Sequence, residues 1–273
     1  MDAVIKGQSL LLGAYNAMFW RAIAGVIISG PMYLASRPVW PVSSTVLLHI
    51  KRSGAAAISV FLFFYGLVRV PMAEGVALTF LSPLIAILLA APMLGERIRR
   101  SSLYASGIAF FGVALIVASK AGQGSGHDVL IGRLSILLAS LFYGYNLVQL
   151  RRAAQIAGPM EISFFTNLVF VGVYALAAPF LAVVPAQSHW PALFGAAALA
   201  TFSALLLAWA YGHAETQAIA PVEYTAFVWS ALLGWLVFGE RVLPLTIAGA
   251  GLIIGGALLG ARQQRGPVSE ASA

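Results

Sequence analysis

No cysteine occurs among the 273 residues of this chain. Disulfides and thiolate chemistry are therefore excluded, and the redox compartment is left open. Charge is the second scarcity. Asp, Glu, Lys and Arg make up 9% of the sequence, against roughly a quarter in a soluble domain. So few ionic groups cannot cover a surface that faces water. Acids are scarcer than bases, 9 against 16, which gives a formal net charge of +7. The histidines His49, His127, His189 and His213 are scattered, so no cluster of metal ligands is visible. The HExxH, GxSxG and GxxxxGK[ST] patterns are also missing. The chain therefore reads as a non-enzyme, with no catalytic residue, metal or cofactor expected.

What the sequence has in abundance is apolar length. It is 60% hydrophobic, with a mean hydropathy of +0.91. About 20 apolar residues cross the roughly 30 Å of bilayer hydrocarbon. Apolar stretches run from Tyr15 to Leu34, Gly54 to Val68, Met72 to Leu94, Ser101 to Ser119 and Val129 to Leu150. They continue from Ile162 to Val184, Ala192 to Tyr211, Ile219 to Phe238 and Leu245 to Ala261. The expectation is an all-α integral membrane bundle of nine or ten spans. Residues 1–14 are too short for a full span, so the first helix reads as truncated in this chain.

Basic residues orient the bundle. With a cytoplasmic C-terminus, Arg37, Lys51, Arg52, Arg97, Arg99, Arg100, Arg151, Arg152, Arg262 and Arg265 fall on the cytoplasmic side. Arg69, Lys120, Arg133 and Arg241 fall outside. That asymmetry follows the positive-inside bias. It also assigns the net charge to anionic lipid rather than to nucleic acid.

A duplication organises the chain. Gly95-Glu96-Arg97 recurs as Gly239-Glu240-Arg241, each after a long apolar stretch. Gly107 and Gly112 match Gly251 and Gly256 at the same offset, and Tyr65-Gly66 matches Tyr211-Gly212 with a two-residue gap. Five spans, an odd number, separate the copies, so the halves are upside down relative to each other. Residues 1–119 form the first repeat, 120–128 a connector, 129–261 the second repeat and 262–273 a cytoplasmic tail. Inverted repeats are a device of secondary transporters, because near-equivalent halves can exchange inward-open and outward-open states.

An ionisable side chain inside a span is a functional candidate by default. Glu223 lies one turn into the ninth span, just after Pro221. It reads as a cavity carboxylate, a proton carrier or a partner for a cationic group. The alternative is an interfacial acid held by the helix dipole. Glu74, early in the fourth span, has the same two readings, with Arg69 close by. Arg21 lies roughly 10 Å deep at 1.5 Å per residue. Its planar fork suits a substrate carboxylate or phosphate, or it snorkels to headgroups. Lys6 in the half-helix shares that ambiguity. Tyr145, Trp209, Tyr211 and Tyr224, with Asn146, fall at cavity depth and suit a planar or amphipathic solute. Glu96 and Glu240 read as helix-end structural residues.

The two segments PMAEGVALTFLSPLIAILLAAPMLGERI (71–98) and APVEYTAFVWSALLGWLVFGER (220–241), each followed by a Gly-rich span, resemble the EamA family of the drug/metabolite transporter superfamily. The resemblance covers nearly the whole chain. It implies a ten-helix-type bundle of two inverted five-helix repeats, multi-pass in the cell inner membrane. It implies metabolite transport by alternating access, export rather than uptake, with proton coupling suggested by Glu223 and Glu74. The partners expected are a small-molecule substrate and the lipid bilayer, with no nucleic acid, in a monomer or homodimer. The competing reading is a truncated or non-transporting membrane protein on the same scaffold.

Overall fold

The structure is a computed structural model. It describes residues 1–36, 40–94, 104, 107–108, 111–112, 114–116, 126–213 and 226–262. Among these, every regular element is helical. In the first half, α1 spans Asp2–Leu12, α2 Ala14–Ala35, α3 Ser43–Leu67, α4 Met72–Thr79 and α5 Leu81–Leu94. In the second half, α6 spans His127–Ala154, α7 Pro159–Ala175, α8 Trp190–His213, α9 Ala226–Phe238 and α10 Pro244–Arg262.

Among the described residues, four helices are long and apolar enough to cross a bilayer, namely α2, α3, α6 and α8 with its lead-in turn Gln187–His189. Four shorter apolar stretches, Met72–Ala86, Pro159–Ala175, Ala226–Phe238 and Pro244–Gly256, accompany them. Two of the apolar stretches are broken locally. The fourth apolar stretch is interrupted at Phe80, between α4 and α5. The seventh ends its main helix at Ala175 and resumes as the single turn Ala178–Leu181. Large apolar side chains such as Ile27, Leu134, Phe202, Trp229 and Trp235 face outward. An apolar exterior on that scale suits lipid, not water. The protein is a multi-pass membrane protein.

One helix starts earlier than its apolar stretch. The helix α3 begins at Ser43, eleven residues before Gly54. The added turns carry His49, Lys51 and Arg52. His49 and Arg52 are buried nonetheless. His49 Nε2 pairs with Glu161 Oε1 at 3.0 Å, and its ring stacks on Phe165. Hydropathy averaged along the chain places these residues outside the apolar stretch, but His49 and Arg52 each find a polar partner on α7.

The two halves pack mainly on each other. The helix α3 lies against α6, α2 against α7, α5 against α6, and α4 against α9. In the register of the duplication, α2 and α7 are equivalent, as are α4 and α9. Each of those contacts therefore pairs a helix with its own inverted copy. Two glycines meet at the α3–α6 crossing. A Cβ on Gly66 would lie 2.5 Å from the Gly132 carbonyl oxygen, and one on Gly132 would lie 3.1 Å from the Gly66 oxygen. Backbone cannot yield there as a side-chain tip could, so the pair sets how near the helices come. Gly66→Ala is expected to lose about 1–3 kcal/mol by overpacking. Gly54→Ala on the same helix, with nothing within 4 Å of its Cβ, is expected to be neutral or slightly stabilising. Reversible denaturation in mixed micelles checks both.

Candidate functional site

A cavity of about 410 Å³ lies between the halves. It falls in the range of small-molecule sites, roughly 300–1,000 Å³. Its apolar walls include Phe63, Phe64, Phe80 and Phe170. Its polar lining includes Ser59, Ser140, Asn146, Ser163, Thr166 and Asn167. Among the described residues, its charged side chains are Asp2, Arg21 and Arg52.

Helical spacing places this lining. Along α3, Arg52, Ala56, Ser59 and Phe63 recur every three or four residues and so share one face. Ser59 Oγ donates to the Ala139 carbonyl at 2.8 Å, tying that face to α6. Arg52 Nη2 donates to Thr166 Oγ1 at 2.7 Å and to the Ile162 carbonyl at 3.2 Å. From α7, Asn167 Nδ2 donates to Ser29 Oγ and to the Ser163 carbonyl, both at 3.3 Å. Gly25 on α2 makes room for this amide, since a Cβ there would collide with Asn167 Oδ1. Arg21, also on α2, is 6% exposed, and its guanidinium carbon sits 5.8 Å from the centre of the Phe170 ring.

The residues singled out from sequence divide between this cavity and other places. Arg21 and Asn146 line it. Lys6 lies apart, donating to the Val70 carbonyl at 2.9 Å and to Glu240 Oε1 at 2.5 Å. The second oxygen of Glu240 accepts the backbone N–H of Met72 at 2.6 Å. One carboxylate thus joins α1, the start of α4 and the end of α9. Glu74 is paired with Arg133, whose Nε donates to Glu74 Oε1 at 2.7 Å. Both side chains of that pair are buried, 2% and 4% exposed. Tyr145 Oη accepts from Gln149 Nε2 at 2.9 Å. Trp209 is 56% exposed, whereas Tyr211 is buried beside Leu147 and Ala208. Glu223 and Tyr224 lie outside the described residues.

Two charged cavity residues were not singled out from sequence. Arg52 was counted with the loop charges beside Lys51, and Asp2 was passed over in the short first helix. The signal for Arg52 was its register, because it continues the Ala56–Ser59–Phe63 face by one turn.

The segments that build the cavity are also those that match known proteins. A profile of the EamA-like transporter family matches residues 3–118 and 130–261. The chain belongs to the EamA-like transporter family. Curated relatives align over nearly their full length. The pseudopaline exporter CntI of Pseudomonas aeruginosa is 28% identical, over 97% of this chain and 92% of its own. An uncharacterized transporter of Helicobacter pylori is 30% identical, over 95% and 89%. A riboflavin transporter of Brucella anthropi is 26% identical, over 91% and 88%. A solved crystal structure, 21% identical, superposes with a TM-score of 0.64 over 97% of this chain and 96% of its own. That likeness shows the fold. In this EamA-like chain, the first matched segment supplies Arg21 and Arg52 to the cavity, and the second supplies Asn146 and Asn167.

Proposed function

We propose that this transporter exports a small organic metabolite across the cell inner membrane by alternating access, with its C-terminus in the cytoplasm. The observation that carries the reading is the cavity, walled by both inverted halves and lined by a few polar groups on an aromatic background. Rocking one half against the other would expose such a site to each side in turn. Export is favoured by the name of the pseudopaline exporter among the relatives. The cytoplasmic C-terminus rests on the distribution of Lys and Arg. Glu223 is retained on sequence grounds as the proton carrier, since Glu74 is engaged with Arg133.

The test is a comparison of medium and cytosol in cells overproducing the chain or its Ala204→Trp variant. Ala204 is a half-buried cavity residue, so an indole there fills the site without opening the packed core. The expected outcome is a compound that accumulates in the medium with the wild type and falls at least about tenfold with the variant, at equal membrane levels. Equal profiles for wild type and variant would remove the assignment. Collapse of the pH gradient tests coupling, and Glu223→Gln is expected to abolish its effect.

A further inference from the structure

We propose that Arg21 is the oxyanion anchor of this cavity and that the transported solute is a small organic anion with an apolar or aromatic body. The inference rests on the transport reading above and names its substrate class.

The argument starts from how the buried cations are satisfied. Lys6 holds Glu240 and the Val70 carbonyl. Arg133 holds Glu74. Arg52 donates to Thr166 and the Ile162 carbonyl. Arg152 donates to the Met93 carbonyl and to Gln149. Arg21 differs from all of them. Its Nε and Nη2 are buried and make no hydrogen bond, and among the described residues no carboxylate lies within 4.0 Å of it. A guanidinium withdrawn from water needs compensation from a partner. Arg21 lines the cavity, so a bound solute is placed to provide it.

Chemistry then selects the solute. A guanidinium presents parallel N–H donors that match a carboxylate or other oxyanion two at a time. The face of Phe170 beneath Arg21 steadies the cation. Among the described side chains of the cavity, two are cationic, Arg21 and Arg52, and one is acidic, Asp2. An anion is attracted by the two guanidiniums and a cation is repelled by them. Phe63, Phe64 and Phe80 supply the apolar wall for the remainder of the solute. Asn146 Oδ1 and Ser163 Oγ, buried and without partners, are available to a second polar substituent.

The experiment uses the full chain in lipid nanodiscs and a charge series on one skeleton: 3-phenylpropionate, 3-phenylpropionamide and 3-phenylpropylamine. Thermal-shift titration gives an apparent Kd for each. The wild type is expected to bind the carboxylate at least tenfold tighter than the amide and to bind the amine least. Arg21→Gln is expected to erase the preference. Arg21→Lys keeps the charge without the fork and is expected to retain the preference with weaker binding. Equal affinity across the series, preference for the amide or amine, or no saturable binding of the carboxylate would each overturn the proposal. The wild-type series decides even where Arg21→Gln does not fold. Medium-against-cytosol profiling separates this inference from the transport reading. Exported compounds that are neutral or cationic would sink the anion assignment and leave transport standing. Carboxylate binding that depends on Arg21, with no compound exported, would do the reverse.

Discussion

Glu240→Ala is expected to destabilise the folded chain by about 3–5 kcal/mol, the cost of stranding one partner of a buried ion pair. The substitution removes two acceptors together. Among the described residues, Lys6, 3% exposed, keeps one hydrogen bond, to the Val70 carbonyl, and the face of Phe238, and the Met72 N–H at the start of α4 loses its acceptor. Glu240→Gln should cost less, because its amide oxygen can still serve Met72. The paired change Lys6→Met with Glu240→Gln should cost less than the sum of the single changes, since no buried charge is left alone. Reversible denaturation in mixed micelles measures each corner of the cycle. Additive losses would mean that the 2.5 Å contact between Lys6 and Glu240 carries no coupling. A structural joint also predicts that Lys6→Met lowers stability without changing which compounds are exported, whereas a substrate ligand would change the compounds.

Arg133→Ala is expected to have an effect of similar size at a second joint. It takes the Arg133 guanidinium away from Glu74, which is 2% exposed where α4 meets α6. The expected loss is again about 3–5 kcal/mol. Arg133→Lys should recover part of it, because an ammonium restores the charge but not the planar fork. Glu74→Gln should be the milder change, since an amide can still accept from the Arg133 Nε–H. The same denaturation assay ranks the three variants. A loss below about 1 kcal/mol for Arg133→Ala, the range of exposed pairs, would refute the structural assignment.

The architecture was legible in the sequence because the bilayer imposes a long, simple period. The apolar stretch Tyr15–Leu34 became Ala14–Ala35, and Ala192–Tyr211 became Trp190–His213. The second GER copy located the end of the ninth stretch, where α9 stops at Phe238 just before Gly239; the first copy lies outside the described residues. Side-chain partnerships were not legible, because they join residues far apart in the chain. Nothing near Lys6 announces Glu240, and nothing near Glu74 singles out Arg133 from its neighbours. Arg52 was misjudged for a different reason. Hydropathy averages over a window, and the polar turns His49–Ser53 outweigh the small and apolar residues that share their face. Arg21 and Asn146 were legible as polar groups deep in apolar stretches, where each had few plausible duties. Depth alone did not reveal that Arg21 would lack a hydrogen-bonding neighbour.

The Lys6–Glu240 joint sets an order of events during synthesis. The two residues are 234 positions apart. At about 5–20 residues per second, Glu240 emerges from the ribosome roughly 10–50 s after Lys6. Throughout that interval the first helix carries an ammonium whose final partner does not yet exist. It must wait near headgroups or in the insertion machinery, and its seat is completed only when the end of α9 arrives. A ribosome stalled before residue 240 would therefore leave α1 held by α2, α3 and α8 but without its ionic tie to the end of α9, and more open to quality-control proteases. Release of α1 from those proteases, followed against chain length, would time the moment at which the bundle closes.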